Sequence, residues 1–145
     1  MSWPIPQPGL VIRYSYLWHR EAQQGREEGV KDRPCAVVLA IQDEENRTRV
    51  YALPITHSPP AAGEDAIEIP QPVKARLGLD SERSWVVVTE ANIFAWPGPD
   101  LRLVQGKGPE SAAYGFLPPG FFRVVRDRFL ATRRDRRAAL VPRTE

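Results

Sequence analysis

Asp32-Arg33-Pro34-Cys35-Ala36-Val37-Val38-Leu39-Ala40 and Tyr51-Ala52-Leu53-Pro54-Ile55-Thr56-His57-Ser58 are the two stretches on which the fold turns. The first is a polar approach, a proline and a continuous apolar run of strand length, which reads as a core strand with a charged residue at its start. The second alternates more, is rich in β-favouring residues, and ends in a polar Thr-His-Ser trio before Pro59-Pro60. Asp43-Glu44-Glu45-Asn46 between them is a polar turn. Two strands joined by a turn run antiparallel, so the start of one lies beside the end of the other. This reading predicts that Arg33 meets Thr56 and His57 at one end of a hairpin. A guanidinium, a hydroxyl and an imidazole gathered there form the constellation in this chain that most resembles chemistry.

Working outward, residues 10–18 (Leu-Val-Ile-Arg-Tyr-Ser-Tyr-Leu-Trp) read as a first strand after a proline-stiffened, extended lead-in over residues 1–8. Residues 19–32 are highly charged and carry Gly25 and Gly29, which favours a loop, with a helical turn possible around residues 20–24. Beyond the hairpin, residues 65–69 read as a short strand. Proline at its start and glycine at its end mark Pro72-Val73-Lys74-Ala75-Arg76-Leu77-Gly78 as a short helix. Trp85-Val86-Val87-Val88-Thr89 is a core strand, residues 91–96 the next, and residues 101–104 a final strand. Pro118-Pro119-Gly120 opens a helix that no proline or glycine interrupts until Pro142, with residues 138–145 read as a flexible tail. Phe121, Phe122, Val125 and Phe129 form its apolar stripe, and Arg133-Arg134-Asp135-Arg136-Arg137 reads as a solvated face or a patch for an anionic partner.

A single domain over residues 1–145 is expected from the length, and the 42% hydrophobic fraction supports a real core. No apolar run reaches membrane-spanning length and no secretory leader pattern opens the chain, so no membrane partner and a cytoplasmic location are expected. The single cysteine, Cys35, excludes an internal disulfide framework and reads as a buried inert thiol. Many short strands with fifteen prolines, one short helix and one terminal helix predict a mainly β, α+β protein: a small, partly open β-barrel with helices on its rim.

Pro8-Gly9-Leu10-Val11-Ile12 resembles the opening strand of the PemK/MazF-like toxins of bacterial toxin–antitoxin systems. Arg33-Pro34 with the apolar run after it resembles that family's second strand, and Leu53-Pro54-Ile55-Thr56 its third. The order and spacing are similar over residues 8 to 130. The resemblance implies an SH3-like barrel, a homodimer, and a sequence-selective, metal-independent endoribonuclease acting on single-stranded RNA, with catalytic roles for Arg33 and Thr56. It also implies a cognate antitoxin, for which an extended acidic segment across the RNA groove is expected. The loop before Arg33 departs from the family's compact pattern, and Glu27 and Glu28 in it would repel phosphates.

The residue chemistry points the same way. Metal-free RNA cleavage needs a base for the 2′-OH proton, a cation for the charge building on phosphorus, and a proton for the leaving oxygen. Arg33 suits the cation, Thr56 a hydrogen bond to the same phosphate, and His57 the proton carrier. Thr56 and His57 cooperate only if the strand ends between them, because neighbouring strand residues face opposite ways. Lys31, Arg26, Ser58 and His19 are candidate RNA contacts, with a structural role the alternative for His19. Tyr14, Tyr16, Trp18 and Trp96 offer stacking faces for bases or fill the core. No metal-ligand cluster or phosphate-cradling glycine loop stands out, so no metal or cofactor is expected. Two other readings remain open: a CcdB-like gyrase-binding toxin, and a non-catalytic SH3-like binding module.

Overall fold

In the computed structural model, which describes residues 3–29, 31–62, 64–106 and 111–143, the hairpin is the centre of an eight-stranded, mainly antiparallel sheet. Strand β1 (Leu10–Tyr14) is followed by helix α1 (His19–Gln23) and the hairpin strands β2 (Arg33–Gln42) and β3 (Thr48–Thr56). Then come β4 (Ala66–Glu68), α2 (Gln71–Leu77), β5 (Trp85–Val87) and β6 (Glu90–Ala95). Strand β7 (Ala113–Phe116), helix α3 (Pro119–Arg134) and β8 (Ala139–Pro142) complete the order. The turn between β2 and β3 is held by Asp43, whose Oδ1 accepts the N–H groups of Glu45 and Arg47, while Asn46 takes a left-handed conformation (φ 62°) that asparagine tolerates.

The continuous apolar run in β2 has a direct cause: both faces of the sheet are buried. Leu10, Ile12, Tyr14, Cys35, Val37, Val50, Ala52 and Phe94 pack on one face. Val11, Ala36, Val38, Leu53 and Ile55 pack on the other, against Val125 and Phe129 of α3 and Leu77 of α2. Alternate residues therefore enter alternate cores, and no position in the run is left for a polar side chain. Burying a side chain such as Phe129 (0% exposed) contributes about 1.5–3 kcal/mol relative to exposing it.

Strand β3 has β2 on one edge and two successive partners on the other. Arg49–Ala52 pair with β6, whereas Ile55 and Thr56 pair with Val86 and Trp85 of β5. Pro54, which has no N–H, lies where the partner changes. This split brings the α2–β5 corner alongside Thr56.

Three expectations change. The strand expected at residues 101–104 reduces to one bridge, Tyr14 to Leu101, and β1's second neighbour is β7 instead. A glycine within Ala113-Tyr114-Gly115-Phe116 hides that strand's pattern; Gly115 has φ 142° there. The terminal helix stops at Arg134, because Arg136 turns left-handed (φ 59°) and the chain reverses. The tail read as flexible is a strand: Ala139–Pro142 runs parallel to β6, with residues 144 and 145 outside the described ones. Its anchor is Arg143, which donates through Nη1 to Ser15 O (2.6 Å) and Asn92 Oδ1 (3.0 Å) and pairs with Asp100 Oδ2 (3.0 Å).

Candidate functional site

Cys35 pairs with Pro54 across the hairpin, and carrying that register two residues outward sets Arg33 across from Thr56. Both also share the parity of Cys35 and Ala52, so they leave the same face of the sheet. Strand β3 ends at Thr56, so His57 lies outside the strand and is free to turn toward its neighbour's side. Arg33, Thr56, His57 and Lys31 line two adjoining cavities of about 280 and 170 Å³. Ser58 lines the smaller one and donates its N–H to Thr56 Oγ1 (3.2 Å). Since that contact uses an oxygen lone pair, the Thr56 proton stays free to donate.

Arg33 lies over the Trp18 ring, 4.9 Å from its centroid, with Arg20 over the same ring at 5.3 Å. Such a contact is worth about 0.5–2 kcal/mol. Trp18 is held by α1, where Glu21 Oε1 accepts the Trp18 N–H, and by the carboxylate of Glu90, which accepts the His19 N–H and the Tyr16 hydroxyl. The Arg33 guanidinium makes no hydrogen bond or ion pair with any described residue, and its Nε is buried without an acceptor. Burial depresses the Arg33 pKa, with the nearby Cys35, Glu21 and Tyr16 pulling the other way; a guanidinium remains a cation regardless. The salt bridge that would have neutralised it is spent elsewhere: Asp32 pairs with Arg13 and Arg102, each at 3.6 Å.

The other wall was not legible in the sequence. Lys74 on α2 is only 1% exposed. Its Nζ donates to Asp80 Oδ1 (2.9 Å), Ser84 Oγ (2.7 Å) and the Glu82 carbonyl. Gly78, left-handed at φ 73°, turns the chain so that the Leu79 N–H returns to Lys74 O and Asp80 follows over the ammonium. Asp80 Oδ2 in turn lies 2.8 Å from His57 Nε2. Partial burial pushes the Asp80 carboxyl up, but the hydrogen bond and charge of Lys74 and the contact with His57 outweigh it, so its pKa is lowered. A lysine at that spacing normally marks the solvent side of a helix, which is why only the structure exposes this cluster.

The remaining expectations divide. His19 and Arg26 border a different, apolar groove between α1 and β8, away from Arg33. His19 of α1 and Arg26 beyond its end line this groove with Leu140 and Val141, while Trp18 and Arg20 line the smaller cavity. Glu27 and Glu28 border neither cavity; the acidic residues that line them with Arg33 and Lys31 are Asp32 and Asp80 in the larger and Glu64 in the smaller. Tyr14 (0% exposed) and Tyr16 (1%) are core, and burial pushes the Cys35 thiol pKa well up, in keeping with an inert cysteine. His57, Asp80 and Glu82 bring one ligand atom each within 4.8 Å, but Asp80 is already shared between Lys74 and His57. Compared with known proteins, the sequence matches no protein-family model and no curated sequence.

Proposed function

We propose that this protein is a PemK/MazF-like toxin, a metal-independent endoribonuclease that cleaves single-stranded RNA at the Arg33–Thr56–His57 cavity. The observation that carries the reading is an arginine that forms no ion pair with any described residue, stacked on Trp18 beside a hydroxyl with a free proton and an imidazole. A buried donor left without an acceptor costs about 1–3 kcal/mol, which an arriving anion near the guanidinium offsets in part. In the reaction, the RNA 2′-oxygen attacks phosphorus as its proton passes to His57, and the 2′-O–P bond forms. The P–O5′ bond breaks, and the 5′-oxygen leaves with a proton from water. Arg33 balances the charge on the phosphoryl oxygens and Thr56 donates to one of them. The products are a 2′,3′-cyclic phosphate and a 5′-hydroxyl.

Sheet faces buried on both sides, and a β3 that changes partner along one edge, support an SH3-like barrel. The exposed cations Arg20 and Lys31 beside Arg33 favour an antitoxin segment that is acidic and extended. Val124 (49% exposed) and Leu130 (43%) on α3 offer a homodimer surface, whereas Phe129 is consumed by the core. No helix of the described residues is long and apolar enough to cross a membrane. The test is to incubate the purified chain with a long single-stranded RNA in chelator. Fragments ending in cyclic phosphate are expected; intact RNA, with inhibition of DNA gyrase instead, would turn the assignment to a CcdB-like toxin.

A further inference from the structure

Three groups in a row join the interior of the protein to the imidazole at the cavity: Lys74 Nζ to Asp80 Oδ1 at 2.9 Å, and Asp80 Oδ2 to His57 Nε2 at 2.8 Å. One carboxylate thus spans a buried ammonium and a half-exposed imidazole, using a different oxygen for each. We infer that Asp80, locked by Lys74, is a positioning residue that selects the tautomer of His57 in which Nε2 carries the proton and Nδ1 is the acceptor. The inference rests on the nuclease reading of the cavity for its purpose, though not for its geometry.

The argument begins with the ammonium. Lys74 has three acceptors, Asp80, Ser84 and the Glu82 carbonyl, and an ammonium has three protons to give. A buried charge so fully engaged does not rotate away, and it holds the Asp80 carboxylate in one orientation. The lowered pKa of Asp80 keeps that carboxylate ionised, so it accepts and never donates. At 2.8 Å the imidazole nitrogen facing it must therefore be the donor, and a neutral imidazole with a proton on Nε2 has its lone pair on Nδ1. Glu82 Oε2, at 3.9 Å from the same Nε2 and on a more exposed side chain, is too far to hydrogen-bond. Backbone position alone would let the ring of a loop histidine spin; the Lys74–Asp80 pair removes that freedom. A base held in one tautomer toward a 2′-OH loses no time or free energy to the other form.

Nitrogen-15 NMR of imidazole-labelled protein, in alkaline buffer where imidazoles are neutral, reads the tautomer directly. The wild-type chain is expected to show His57 as the Nε2–H form. Asp80→Asn is expected to lose that preference, because its amide donates as well as accepts, whereas Glu82→Gln leaves it in place. A wild-type His57 in the Nδ1–H form, or a tautomer that responds to Glu82→Gln and not to Asp80→Asn, overturns the inference, and the wild-type spectrum decides even if the Asp80 variant does not fold. In the RNA assay Asp80→Asn is expected to lower kcat by about 10²-fold with KM unchanged. A wild-type protein that holds the tautomer but leaves RNA intact would sink the nuclease reading and leave the positioning of His57 standing. Cleavage by Asp80→Asn at the wild-type kcat would show that the positioning plays no part in the reaction.

Discussion

Arg33 and Arg143 each hold a guanidinium over an aromatic ring, 4.9 Å from the centroid of Trp18 and 5.3 Å from that of Tyr14. Around Arg143 the protein supplies acceptors: Ser15 O, Asn92 Oδ1 and the Asp100 carboxylate. Around Arg33 the described residues supply none, and the adjacent Asp32 is turned to Arg13 and Arg102. The Nε of each arginine is buried without an acceptor, but Arg143 donates through Nη1 and is ion-paired to Asp100, and so fastens β8 to β1 and β6. Arg33 carries its charge to a cavity wall. Burial of an arginine therefore says little about its role, and the presence or absence of acceptors says much more.

Substitution separates the two. Arg33→Ala is expected to lower the rate of RNA cleavage by about 10²–10³-fold while the denaturation midpoint moves little, since the lost stacking on Trp18 is offset by removal of a buried unpaired donor. Cleavage at the wild-type rate would move the reactive centre elsewhere. Arg143→Ala is expected to do the reverse, costing about 3 kcal/mol in urea unfolding because Asp100 and Asn92 lose their buried partner, with the folded fraction cleaving normally. A wild-type unfolding curve for that variant would dissolve the contrast between the two arginines.

The smallest effect sharpens the comparison through the scaffold under Trp18. Burial holds the Glu90 carboxyl above its ordinary range, outweighing its contacts with His19 and Tyr16, so the folded protein binds that proton more tightly than the unfolded chain does. Its contribution to stability is full below the unfolded glutamate value of about 4.3 and is lost as pH rises through the raised folded value. Glu90→Gln keeps an acceptor for the Tyr16 hydroxyl and the His19 N–H without the charge. It is expected to be close to neutral in acid and stabilising at pH 7, as thermal melts across that range would show; a stabilisation that grows toward acid pH would contradict the direction.

The hairpin and the meeting of Arg33 with Thr56 at its end were legible in the sequence because their determinants are local. An apolar run flanked by a polar turn defines β2 and β3, and antiparallel pairing then obliges Arg33 and Thr56 to meet. Likewise Pro72 and Gly78 bracket α2 within a residue of its observed limits. What escaped depends on distant partners. Leu140 and Val141 follow an arginine-rich helix end and become a strand only because β6 offers a parallel edge nearly fifty residues away in sequence (Ala91 to Leu140). Lys74 and Asp80 are ordinary surface letters until β5 packs against Thr56 and closes the corner over them. His19 and Arg26 precede Arg33 closely in sequence, yet both border the groove beside β8.

The division of β3 between two partners also bears on how the cavity exchanges its contents. Among the described residues, β5 joins the β3 ladder only at Ile55 and Thr56, whereas the hairpin and β6 pair with the rest of that strand. Local opening follows the weakest seam, and here the seam runs along one wall of the cavity. Ile69, Leu77 and Val86 of the corner that carries Lys74 and Asp80 also pack into the second core, so any opening there is confined to the ladder edge at Thr56. For the RNA substrate proposed above, that edge is the side from which a long strand would enter the cavity.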